Sequence, residues 1–110
     1  MIVQTDDWTG VERYPNARIR AERLKEARVH GRHTWEQFQA LKDEFDRRCV
    51  KCGTRHFPVE RDHIVPVYMG GRDTIDNIQP LCAYCNSSKK SDSFNWAEYR
   101  RKHGFQGLPI

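Results

Sequence analysis

Cys49-x-x-Cys52 and Cys82-x-x-Cys85 are the residues of this 110-residue chain whose spacing points most directly to chemistry. Two-residue spacers let paired thiolates grip one ion, so the two pairs predict a tetrahedral, structural zinc site. The alternatives are a redox-active CxxC, which usually accompanies a thioredoxin-like βαβ pattern not found here, and buried thiols with no joint role. Disulfides fit poorly, because the stretch from Met1 to Trp8 is acidic and has no apolar run to serve as a secretory signal. The 29 residues between Cys52 and Cys82 exceed the roughly 15 to 20 of a zinc ribbon. That insert must fold in its own right, and it contains Asp62-His63, where the chain places a histidine directly beside a carboxylate.

The elements that must position these residues are short. Residues 1–16 end in Tyr14-Pro15-Asn16, a turn signal, and read as an irregular arm. Residues 17–30 read as an exposed, Arg-rich helix with Gly31 suited to the left-handed position after its end. Thr34 opens a second helix with Gln37 at the capping-box position, and Trp35, Phe38, Leu41 and Phe45 recur at the spacing of a buried face. Phe57 to Tyr68 reads as extended, Met69 to Asp73 as a loop, and Asp76 to Leu81 as a second extended piece interrupted by Pro80. A helix is expected after the second cysteine pair. A last helix, capped by Asp92 or Ser93 and stopped by Gly104, packs Trp96 and Tyr99 inward. His30, His33, His56 and His103 read as surface residues.

The hydrophobic fraction of 37% is low for a self-sufficient core, which makes a metal staple all the more expected. No run approaches the roughly 18 apolar residues of a membrane span, so the expectation is a cytoplasmic, intracellular protein with no membrane partner. The formal net charge of +4 is unevenly distributed. Residues 13–33 total +5 and residues 47–72 total +4, with acidic blocks between them. Separate basic blocks suit a nucleic-acid partner better than the small overall charge does. The expected phosphate contacts are Arg18, Arg20 and Arg28 in the leader helix, Arg72 in the loop, and Lys89 and Lys90 after the second cysteine pair.

Taken together, the first CxxC, Asp62-His63-Ile64-Val65-Pro66, Gly70-Gly71, Asp76-Asn77-Ile78-Gln79-Pro80-Leu81 and Cys82-Ala83-Tyr84-Cys85-Asn86-Ser87-Ser88-Lys89 resemble the HNH endonuclease family. The likeness is close over residues 49–90, and the helical leader is similar to that of small phage- and prophage-type members. It implies an α+β fold with a ββα-metal motif, in which a hairpin and a helix pinch a divalent cation against the scissile phosphate. Residues 1–33 then form an arm and leader helix, and residues 34–110 the nuclease domain.

Position by position, the resemblance implies that His63 is the general base, that Asp62 and Asn86 hold a catalytic Mg²⁺ or Mn²⁺, and that Asn77 fixes the loop that aims His63. An imidazole, with an ordinary pKa near 6.5, can take a proton from water at neutral pH. Oxygen ligands suit hard cations. Many relatives have His where this chain has Asn86, so it reads as a His-Asn-Asn variant. Neighbours on a strand point to opposite faces, so the strand must twist or end at Asp62-His63 for both to reach one phosphate. The implied function is a metal-dependent DNA endonuclease, monomeric or homodimeric. The alternative is a non-catalytic, zinc-stabilised nucleic-acid-binding module.

Overall fold

The computed structural model describes residues 17–108 of the chain. The irregular arm expected for residues 1–16 lies outside the described residues. Helix α1 (Ala17–Ala27) runs into a single 3₁₀ turn, Arg28–His30. Gly31 follows with a positive φ of 102° but a ψ of 172°, which is not the left-handed helical conformation expected. Helix α2 (Trp35–Glu44) begins at the expected capping box: Gln37 N–H donates to the Thr34 hydroxyl, and Thr34 N–H donates to the Gln37 side chain.

Strand β1 (Val59–His63) pairs antiparallel with β2 (Ile78–Cys82), placing Asp62 opposite Gln79 and His63 opposite Ile78. Pro80 is accommodated in β2, opposite Arg61, because a two-stranded sheet leaves one edge of each strand unpaired. Of the Phe57–Tyr68 stretch only Val59–His63 is strand. β1 stops at His63, the chain bends, and Val67–Met69 forms a 3₁₀ turn. Helix α3 (Ala83–Lys89) starts before the second cysteine of its pair rather than after it, so Cys85 and Asn86 both lie within it. Helix α4 (Trp96–His103) is capped by Asn95, whose side chain accepts from Glu98 N–H. Asp92 instead accepts from Phe94 N–H in a local turn.

The core joins Phe38, Leu41 and Phe45 of the α2 segment to Val50, Ile78, Leu81 and Ala97, with Cys49, Cys82 and Cys85 in the same cluster. Trp35 is 63% exposed, contrary to the buried position its spacing suggested, because the small sheet does not cover the first turn of α2. Tyr99 is 39% exposed, its ring packed edge-on against Trp96, and Trp96 is partly buried against the core. The four cysteine sulfurs lie within 4.8 Å of one another. The Cys52 and Cys82 sulfurs are 3.8 Å apart, the tetrahedron edge that four Zn–S bonds of about 2.3 Å produce. Burial and the neighbouring Cys49 sulfur push the Cys85 thiol far up, so four thiolates share this space only with a cation among them. The geometry and the donor set therefore both fit a structural metal such as zinc.

The loop between the strands is closed by one side chain. The Asn77 amide nitrogen donates to the carbonyls of Val65 and Arg72, at 3.0 and 2.8 Å, and its oxygen accepts from Val65 N–H at 2.9 Å. Gly70 has φ 91° and ψ 8°, left-handed backbone with open space where a Cβ would be. Gly71 is constrained differently. A Cβ there would lie 1.8 Å from the Val65 carbonyl oxygen and 2.9 Å from the Asn77 amide nitrogen.

Two outcomes follow from these constraints. Cys82→Ser loses bound zinc and cooperative unfolding together, because metal binding contributes on the order of 10 kcal/mol to folding in small zinc domains. Metal analysis alongside a thermal melt checks this, and an unchanged melting temperature contradicts it. Gly70→Ala costs about 1 kcal/mol, for left-handed backbone. Gly71→Ala costs about 3 kcal/mol, because the obstacle is main chain that cannot rotate away. Denaturant titration of the two variants gives the order, and equal destabilisation would contradict it.

Candidate functional site

The end of β1 and the C-terminal half of α3 meet at a cleft of about 570 Å³, lined by Asp62, His63, Asn86, Lys89 and Lys90 and also by Arg23 and Leu24 of α1. Termination of β1 at His63 resolves the problem of alternating faces: Asp62 faces inward while the His63 ring sits at the mouth, its side chain 25% exposed. Asn77 reaches this site through the loop it closes, since Ile64 N–H also donates to the Asn77 carbonyl at 2.8 Å.

Asp62 is buried and its carboxylate is shared. Gln79 Nε2 donates to Oδ2 at 2.9 Å, and the Lys89 ammonium donates to Oδ1 and Oδ2 at 3.0 and 2.8 Å. Lys89 also donates to the carbonyls of His63 and Ile64 at 2.5 and 3.0 Å, so it is surrounded by oxygens rather than turned to solvent as a phosphate contact requires. Its ammonium pins the end of the strand to α3. Gln79 completes the link on its other side, where its oxygen accepts from Trp96 and Ala97 N–H at the start of α4. Asn86 turns its amide nitrogen to Glu60 at 2.8 Å, which leaves its carbonyl oxygen as the remaining donor atom. Carboxylate and amide oxygens are hard donors that fit Mg²⁺ or Mn²⁺, although any such cation at Asp62 shares the carboxylate with Lys89.

His63 has a partner that sequence spacing gave no sign of. Its Nε2 lies 2.7 Å from Oδ1 of Asp73, a carboxylate only 1% exposed. Arg28 Nε donates to Asp73 Oδ2 at 2.7 Å, and His33 N–H donates to the Asp73 carbonyl at 2.7 Å. Burial would raise the Asp73 carboxyl, but hydrogen bonds from Arg28 and His63, with the nearby His33, hold it below the usual carboxylate range. Two sequence expectations are corrected here. Arg28 spends its guanidinium on Asp73 rather than standing free for phosphate, and His33 is a largely buried neighbour of that carboxylate rather than a surface residue.

The other basic residues are spread around the molecule. Lys90 is exposed and lines the cleft, Arg18 is exposed on α1, and Arg72 is exposed beside a separate shallow groove with Thr74 and Asp76. The Arg20 side chain is outside what is described. Arg23 and Arg61, which spacing did not single out, are cleft-lining residues. Arg23 donates to the Tyr68 carbonyl at 3.0 Å and stacks over its ring, docking α1 against the loop. No helix among the described residues is long and apolar enough to cross a membrane.

Comparison with known families places this geometry. Nothing among curated proteins or among solved structures matches the chain. Residues 49–92, from the first zinc-site cysteine past Lys89 and Lys90, match the family described as HNH endonuclease. The hairpin, the closed loop and α3 are the body of that matched segment, so the likeness to HNH endonucleases covers the cleft-forming part of the chain and not the leader or α4.

Proposed function

We propose that this chain is a metal-dependent endonuclease that hydrolyses phosphodiester bonds in DNA. The observation that carries the reading is the convergence of His63, Asp62 and Asn86, from two different elements, on one cleft that also presents Arg23, Arg61 and Lys90. His63 is the general base. Its ring is held on the Nε2 side, so Nδ1 takes the proton from the attacking water. Arg23, Arg61 and Lys90 bind and orient the phosphates of the strand, which contributes position rather than sequence information. Asn77 keeps the loop from relaxing away from the base. Asp62 and Asn86 would hold Mg²⁺ or Mn²⁺, which supplies charge neutralisation at the phosphoryl and leaving oxygens. One such site cuts one strand, so nicking is the elementary reaction.

The second reading, a non-catalytic nucleic-acid-binding module, draws support from Lys89, which already neutralises Asp62. The two readings separate on supercoiled plasmid. With zinc-loaded protein and added Mg²⁺ or Mn²⁺, the wild type converts plasmid to open circles, and His63→Ala slows this by about 10²-fold or more at unchanged zinc content. Plasmid that is shifted on a gel but left uncut across divalent metals establishes the binding module instead.

A further inference from the structure

We propose that Asp73 is the positioning residue for His63, and that the leader segment, through Arg28 and His33, completes the site by holding Asp73 in place. The proposal rests on the reading of His63 as general base. It starts from a cost: a buried carboxylate is tolerated only when paired and hydrogen-bonded, and Asp73 is among the most deeply buried polar residues described. Both of its oxygens are used, Oδ2 by Arg28 and Oδ1 by His63, each at 2.7 Å. Its main-chain carbonyl accepts from His33 N–H at 2.7 Å and lies 3.0 Å from His33 Nδ1. Arg32 and Asp73 form a parallel backbone bridge beside these contacts. Loop and leader thus meet on one residue from both the side chain and the main chain.

The chemistry of that pairing determines what it does to His63. A carboxylate held ionised by Arg28 has no proton to give, so it can only accept. The contact at 2.7 Å therefore requires Nε2 of His63 to carry the hydrogen, and a neutral ring then has its lone pair on Nδ1. Asp73 thereby fixes which nitrogen is basic as well as the plane of the ring. The same logic makes an aspartate indispensable behind a catalytic histidine in other hydrolases, where it holds the tautomer without itself taking the proton. Arg28 stands 45 residues from Asp73 in sequence, so a general base within the matched segment depends on the turn after α1, outside it.

A competing account makes Asp73 simple glue between loop and leader, and the test must tell glue from positioning. The full-length, zinc-loaded chain is used throughout. Nitrogen-15 NMR of the wild-type His63 ring, at a pH where the ring is neutral, is expected to show a single tautomer with hydrogen on Nε2. In Asp73→Asn the amide can either donate or accept, so the ring populates both tautomers. Plasmid nicking by this variant is expected to lose about 10²-fold in kcat with KM within about threefold, at unchanged zinc content. Arg28→Gln is expected to move both readouts in the same direction by a smaller amount.

A wild-type ring protonated on Nδ1, or an Asp73→Asn protein that nicks at the wild-type rate, overturns the proposal. If Asp73→Asn does not retain zinc, the wild-type tautomer and Arg28→Gln decide. Absence of nicking by the wild type itself overturns the endonuclease reading and is distinguishable, because the ring tautomer is read without DNA.

Discussion

The convergence of four sulfur atoms within 4.8 Å is the constraint on which the rest of the fold depends. Cys49 lies just beyond α2, Cys52 in the turn that follows, Cys82 at the end of β2 and Cys85 inside α3, so one tetrahedral centre ties three elements at a point. With few apolar residues available, the core cannot perform this alone. Three of the four cysteines are themselves part of it, packed with Phe38, Leu41 and Phe45. Arginines reinforce the same corner. Arg100 donates to the carbonyls of Val50 and Lys51 at 2.7 and 2.8 Å, and Arg48 donates to the Gly53 carbonyl at 2.8 Å while stacking over Phe105. Main-chain carbonyls in the cysteine turn, which would otherwise go unpaired, are satisfied by side chains from elsewhere in the chain.

From that corner, order passes to the cleft through buried polar groups rather than through apolar packing. Gln79, fully buried on β2, bonds Asp62 on one side and the first turn of α4 on the other. Asp62 then bonds Lys89, and Lys89 bonds the carbonyls on which β1 ends. Every member has partners, the condition under which a buried polar network rigidifies instead of weakening its surroundings. The consequence for chemistry is that both sides of His63 are determined. Its backbone is held by Lys89 and by the strand register, and its ring by Asp73.

The parts of this arrangement that were legible in the sequence are those set by local spacing. Two residues between paired cysteines, two between Thr34 and Gln37, and the adjacent glycines each encode a short-range geometry that the chain adopts. The unreadable parts are pairings across long separations: Asp73 with Arg28 at 45 residues, Asp62 with Lys89 at 27, and Asp62 with Gln79 at 17. Nothing local distinguishes a lysine that will be buried against a carboxylate from one that will face solvent. Lys89 and Lys90 are neighbours with opposite fates, the first turned inward and the second exposed at the cleft. Trp35 is exposed for the converse reason. Helical spacing reports a face, while burial depends on whether a partner element is long enough to reach it.

The same distinction changes what the charge pattern means. The leader segment is the most basic block of the chain, yet its positive charge is not one field. Arg28 is cancelled by Asp73, and Arg23 is held on Tyr68 while still bordering the cleft. Four thiolates and one divalent ion take about two units from the formal +4, leaving the whole protein at about +2. Attraction for a polyanion then depends on the cations left over where they can act, and among the cleft-lining residues these are Arg23, Arg61 and Lys90. Arg61 lies over the Phe38 ring, its guanidinium carbon 4.7 Å from the centroid, so a core aromatic holds this cleft cation in place. A small number of fixed cations beside a buried Asp62 carboxylate already compensated by Lys89 gives a local field directed at the cleft, which a uniformly basic surface of the same net charge would not provide.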